Sequence, residues 1–260
     1  MGGSTVWGTG VADDQTIPAH FKSISQQNAV NLGEAGWNSR QSLNLLLNLM
    51  AHNHKPGHVI FYDGVNEIIQ CRSELIRPPS YLYESKFQDL IFNRGGKKRI
   101  LLDFIVSPYK SFFKKPLKAS LHDCDTDNKK ARIISANLLN NWEAAYHISK
   151  ARGFGITFIV QPHVWSSTSE TSYLAEHLKQ PEQLSFKRQY ETIYPILLAD
   201  ITKKCLNIEN KEFCANIKIG AKWINKPKTP IFIDFCYLNS EGNQIIASKI
   251  FDTLTDSSRL

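Results

Sequence analysis

From Lys129 to Lys204 the chain reads as a long helical pattern, a short β-branched strand and a second long helical pattern. Ile133, Ala136, Leu139, Ala144 and Ile148 recur at helical spacing, and Gly153 stands just past the end of that run. Ile156-Thr157-Phe158-Ile159-Val160 follows within Gly155–Val160, too short and too β-branched for a helix. Pro181–Lys204 resumes the helical period. A strand between helices of ten or more residues constrains the fold strongly. Its neighbours in the sheet must run parallel to it, and helices must cover both faces.

The rest of the chain extends this pattern. Ile17–Ile24 predicts a short amphipathic helix with Pro18 in its first turn. Asn28–Leu32 predicts a short strand ending at Gly33. Ser39–Met50 predicts a helix whose Leu43, Leu46, Leu47 and Met50 share a face, and His58–Tyr62 a buried strand. Pro230–Phe235 predicts the last strand. Ser240–Leu254 predicts the terminal helix, interrupted near its start by Gly242. The expected architecture is a three-layer α/β/α sandwich on a short parallel sheet, formed as one domain over 1–260. Residues 73–127 read as an irregular, basic and aromatic insertion within it. Met1 leads directly into Gly2-Gly3-Ser4-Thr5, so the first strand expected of such a sheet is missing. An incomplete start is the expectation, and any leader or membrane anchor would then lie upstream.

Composition narrows the function classes. The 260 residues carry a net charge of +7 with basic residues scattered along the chain, and no nucleic-acid-binding motif is present. A solvated Lys-rich surface accounts for that charge. No apolar run is long enough to span a bilayer. None of the five cysteines lies in a C-x-x-C pair, which argues against a zinc or redox motif. Cys205 and Cys214 could close a short loop, and buried free thiols fit the spacing equally well.

In parallel sheets the reactive groups gather beyond the carboxyl ends of the strands, and four motifs stand where such ends are expected. Gly2-Gly3-Ser4-Thr5 places a hydroxyl at a helix start. Asn31-Leu32-Gly33-Glu34-Ala35-Gly36-Trp37-Asn38-Ser39 offers a glycine N–H on a turn. Asp63-Gly64-Val65-Asn66-Glu67 offers a side-chain amide on a tight loop. Asp234-Phe235-Cys236-Tyr237 puts an aspartate just ahead of the last helix. Together and in this order they resemble the sequence blocks of the SGNH/GDSL hydrolases, chiefly bacterial members with G-G-S-T and D-G-x-N-[DE] blocks. The likeness spans roughly residues 1–72 and 129–256, and Ile159-Val160-Gln161-Pro162 adds to it.

The resemblance implies a carboxylic-ester hydrolase without metal or organic cofactor. Ser4 would be the nucleophile, and the N–H groups of Ser4 and Gly36 with the Asn66 amide would hold the oxyanion. Asp234 would orient the general base. The implied partner is an acyl ester, either a small molecule or an O-acetylated glycan, and not a nucleic acid. The chain departs from the pattern at Tyr237, where the family keeps its histidine. A phenol titrating near 10 is a poor base at neutral pH. Impaired turnover is therefore expected, with His163, just past a strand, as a candidate substitute base. Two alternatives remain open: a catalytically inactive binder of an acylated ligand, and an interaction module acting through the basic aromatic insertion.

Overall fold

The computed structural model describes residues 1–72, 122–224 and 229–257. Three parallel strands form the sheet: β1 (His58–Asp63), β2 (Gly155–Val160) and β3 (Ile217–Ile219), in the order β1-β2-β3. β1 and β2 pair in register from His58 opposite Gly155 to Asp63 opposite Val160, and Phe158 stands opposite Ile217 of β3. Beyond β1, Gly2 makes parallel bridges to both Tyr62 and Gly33. The Tyr62 N–H donates to the Met1 carbonyl at 3.0 Å and the Glu34 N–H to the Gly2 carbonyl at 3.0 Å. Met1 and Gly2 thus lie in the slot where a first strand was expected, and one residue bridges two neighbours.

Six helices position the site: α1 (Ser4–Trp7), α2 (Ile17–Ser25), α3 (Ser39–Ala51), α4 (Asn128–Arg152), α5 (Pro181–Cys205) and α6 (Ser240–Ser257). α3, α4 and α5 cover one face, burying Leu46, Ile134, Leu138, Trp142 and Leu197 with Phe61 and Phe158. Trp142 stacks on Phe158 at 5.2 Å, and Phe61 meets the same ring at 5.4 Å. Truncating either phenylalanine would cost about 3–5 kcal/mol. α2 and α6 cover the other face, where Ile17, Ile246 and Ile250 pack with Tyr62, Ile159 and Ile231. The three-layer sandwich expected from the sequence is the observed arrangement.

Several expectations need correction. Asn28–Leu32 is not a strand; only Gly33 pairs. Asn31 spends its side chain on local backbone, donating to the carbonyls of Val6 and Trp7 and accepting from the Gly33 N–H. Pro230–Phe235 does not join the sheet. It pairs with the residues just after it, through a Phe232–Leu238 bridge, Ile233 N–H to the Tyr237 carbonyl and Asn239 N–H to the Ile231 carbonyl. It also pairs with Tyr173, whose hydroxyl accepts the Phe232 N–H at 3.0 Å and donates to the Phe232 carbonyl at 2.9 Å, while the Phe235 carbonyl accepts the Val164 N–H at 2.9 Å. The third strand is Ile217–Ile219 instead. α6 runs unbroken through Gly242, where a Cβ would stand 3.0 Å from the Ile231 carbonyl and from Leu238 Cβ. On α4 the buried face runs through Ala131, Ile134, Leu138, Leu139, Trp142, Ala145 and Ser149; of the expected period Leu139 is buried and Ala144 and Ile148 pack against the core, whereas Ile133 and Ala136 are exposed. On α3, Leu47 is exposed while Ser39 and Ser42 join the buried face.

Most of the 73–127 insertion, residues 73–121, lies outside the described residues, and so does the surface on which an interaction module would depend. Its end is ordinary scaffold: Asp127 caps α4 by accepting the Lys130 N–H at 3.0 Å. Disulfides join Cys71 to Cys124 and Cys205 to Cys214, and Cys236 is a buried free thiol. Among the described residues no helix is long and apolar enough to cross a membrane, and no group of His, Cys, Asp and Glu is gathered to hold a metal ion.

Candidate active site

Every strand hands its chain to the same rim of the sheet. Gly2 leads to Ser4 at the start of α1, Asp63 leads to Asn66, and Val160 leads to Gln161 and His163. The main-chain path is tight here. A Cβ on Gly2 would strike the Tyr62 carbonyl, and one on Gly3 would strike the Asn66 amide nitrogen and stand 2.9 Å from the Trp37 carbonyl. Only glycine allows the segment before Ser4 to run this close to the Asn66 loop.

Among the described residues the Ser4 hydroxyl meets one side chain: the Tyr237 hydroxyl donates to Ser4 Oγ at 2.9 Å. Burial, more than any charge nearby, raises the phenol above its ordinary value, and Cys236 and Asp234 add to the rise. At neutral pH the pair is therefore two neutral hydroxyls, with the serine oxygen accepting. Asp234 does not reach the phenol oxygen. Its Oδ1 accepts the backbone N–H of Cys236 at 2.8 Å and of Tyr237 at 2.7 Å. The carboxylate closes an Asx-type turn that aims the tyrosine.

Beneath Ser4, Gln161 Nε2 donates to Thr5 Oγ1 at 2.6 Å, between two buried residues. This ties α1 to the end of β2. Asn66 Nδ2 donates to the Trp37 carbonyl at 2.6 Å, which uses one of its two amide protons. Gly36 precedes Trp37 in an exposed turn with φ of 76°, a conformation that favours glycine, and its Cβ position is open.

His163 is placed differently. It is 2% exposed, and its ring lies 4.4 Å from that of Tyr190 and 4.3 Å from that of Tyr194. Among the described residues neither of its nitrogens has a hydrogen-bond partner. Burial alone pushes it down to about 3, so the imidazole is neutral, and no hydrogen bond links it to Ser4.

Two further residues of the site escaped the sequence reading. Asp63 ends β1 fully buried, accepting from Trp142 Nε1 at 3.0 Å and Ser42 Oγ at 3.4 Å. Burial first and Glu67 second push its carboxyl up to about 7. Glu67, 1% exposed, accepts the Ser39 N–H at 2.9 Å and the Gly64 N–H at 3.0 Å. Its carboxyl is likewise raised by burial. Both stand in the Asp63–Glu67 motif, and the signal was available: an acidic residue inside an apolar run is buried only when paired.

No protein-family model and no curated protein matches the chain. Solved structures similar to it include the following three. A G-D-S-L family lipolytic protein from Desulfitobacterium hafniense DCB-2 has 12% identity and a TM-score of 0.49, over 97% of this chain and 96% of that one. An acetyl xylan esterase, AlAXEase, has 11% identity and a TM-score of 0.42, over 96% of both chains. An alpha/beta hydrolase enzyme from the metagenome of Lake Arreo, Spain, has 12% identity and a TM-score of 0.37, over 91% of this chain and 78% of the other.

Proposed function

We propose that this chain is a serine-type carboxylic-ester hydrolase of the SGNH kind whose turnover is held low by Tyr237. The observation that carries the reading is the 2.9 Å hydrogen bond from the Tyr237 hydroxyl to Ser4 Oγ, in the place where a base would act. In this reading an acyl ester docks with its carbonyl oxygen toward the N–H groups of Ser4 and Gly36 and the other proton of Asn66 Nδ2. Ser4 Oγ attacks the carbonyl carbon, and the three donors hold the oxyanion; one such donor is worth about 3 kcal/mol. The serine proton must leave as the bond forms. Tyr237 already gives its own proton to Ser4, so it accepts one only as phenolate. Asp234 fixes the residue through its main chain. The ester is a small acyl ester or an O-acetylated glycan.

A second reading rests on the same bond. With a neutral phenol capping Ser4, the pocket can recognise an acylated ligand and release it unchanged. Hydrolysis of an aryl acetate by the chain, by Tyr237→His and by Ser4→Ala separates the two. Gain of Ser4-dependent turnover in Tyr237→His, with a low but measurable rate in the parent, supports the impaired hydrolase. Gain in the variant with no parent rate above Ser4→Ala supports the binder. A parent rate that Ser4→Ala leaves untouched overturns both.

A further inference from the structure

We infer that Glu67 is a positioning residue that holds the two halves of the oxyanion pocket in register. The inference rests on the reading of Ser4, Gly36 and Asn66 given above.

The two proposed donors outside the nucleophile come from segments far apart in sequence, Gly36 on the turn before α3 and Asn66 on the loop after β1. Two links join these segments. On one side Asn66 Nδ2 donates to the Trp37 carbonyl at 2.6 Å. On the other, the Glu67 carboxylate takes the Ser39 N–H on Oε1 at 2.9 Å and the Gly64 N–H on Oε2 at 3.0 Å. With the intervening backbone they close a ring: Trp37 to Ser39 along the chain, Ser39 to Glu67 by hydrogen bond, Glu67 back to Asn66, and Asn66 to Trp37. Ser39 is fixed in turn from α4, because Asn141 Nδ2 donates to its Oγ at 3.0 Å.

The residue type is what the geometry requires. A carboxylate presents two acceptors and no donor, so one side chain satisfies an N–H on each segment. Ser39 is the first residue of α3, where N–H groups lack helical partners and the helix dipole favours negative charge. Burying a carboxylate is costly unless it is fully bonded, and Glu67, 1% exposed, has its bonds from the Ser39 amide of α3 and the Gly64 amide of the loop. Displacing a reacting or stabilising group by about 1 Å can cost about 100-fold in rate.

Glu67→Gln keeps the size and one acceptor but turns an NH2 group against one of the two amides. In the Tyr237→His background, Glu67→Gln should lower kcat for 4-nitrophenyl acetate about 100-fold with KM within about twofold. Added to Asn66→Ala it should lower kcat by less than about twofold more, because the lost donor is the one it positions. An unchanged kcat, or the full factor repeated on top of Asn66→Ala, overturns the proposal. If Glu67→Gln fails to fold, Glu67→Asp, too short to span both amides, carries the same comparison. If Tyr237→His shows no Ser4-dependent turnover, the functional reading has failed and the brace is decided by NMR on the parent chain. Glu67→Gln should then shift the Asn66 side-chain amide resonances and speed hydrogen exchange at Ser39 and Gly64. Unmoved Asn66 resonances overturn it.

Discussion

Asp234 accepts the backbone N–H of Tyr237 at 2.7 Å, whereas the phenol of the same tyrosine reaches past it to Ser4 at 2.9 Å. The aspartate therefore governs where the side chain points, and it adds only a smaller rise to a pKa raised first by burial. Replacing Asp234 with alanine strands two amides, those of Cys236 and Tyr237, at a cost of about 1–3 kcal/mol. Asp234→Asn keeps an acceptor oxygen and should cost less than half as much. Thermal unfolding checks this: about 2–4 °C is lost per kcal/mol in a chain of this size, so Asp234→Ala should melt measurably below Asp234→Asn.

If the Tyr237 phenolate is the base, Ser4-dependent hydrolysis must follow its ionised fraction. Burial raises that phenol above its ordinary value, so ionisation grows with pH throughout the working range. The Ser4-dependent rate should climb about tenfold per pH unit between about pH 7 and 9. Tyr237→Phe should abolish the climb. A rate already level at pH 7 would point to a different base.

The Gln161–Thr5 bond is buried on both sides. Gln161→Leu leaves the Thr5 hydroxyl without its partner, and Thr5→Val does the reverse, each costing about 1–3 kcal/mol. The double variant removes both groups and should cost less than the sum by about 0.5–3 kcal/mol. Urea unfolding of the four proteins measures the coupling. Strict additivity would mean that the bond does not tie α1 to β2.

His163 makes the fold acid-sensitive. The native ring is neutral because burial pushes it down to about 3, while the unfolded chain takes up a proton below about 6.5. Stability is thus lost as pH falls from about 6.5 toward 3. At pH 5 the loss is about 2 kcal/mol. His163→Phe should remove this slope, so its stability relative to the parent should improve by about 2 kcal/mol between pH 7.5 and 5. His58, pushed down to about 4 by burial, gives both proteins a common background. The same substitution should leave Ser4-dependent hydrolysis unchanged, since no hydrogen bond joins His163 to Ser4; loss of that activity alone would restore His163 as the substitute base.

The long elements were legible because period and caps agreed: α4, α5, β1 and β2 fall within a residue or two of their sequence limits. The misreadings have physical causes. Pro230–Phe235 has strand composition, but Asp234 draws the chain into a turn before a sheet partner is reached. β3 is three residues, Ile217–Ile219, too short for any period to show. On α4 the apolar period caught only part of the buried face, because Ser135, Asn141 and Ser149 are buried through hydrogen bonds, which an apolar pattern cannot register. At the candidate site, the Ser4–Tyr237 pairing followed from motif order. The Asp63 and Glu67 carboxylates did not, because their partners come from α3, α4 and the Gly64 loop, contacts that exist only after folding.

The loop from Ile231 to Asn239 is closed by the Phe232–Leu238 bridge and the Ile233–Tyr237 and Asn239–Ile231 hydrogen bonds, and it is anchored outside itself by Tyr173 on the Phe232 backbone and by the Val164 N–H on the Phe235 carbonyl. Tyr237 thus brings its hydroxyl to Ser4 from a segment seated in the core by Ile231, Phe232, Cys236 and Leu238, and a substitution there that keeps the Asp234 turn leaves that seating in place.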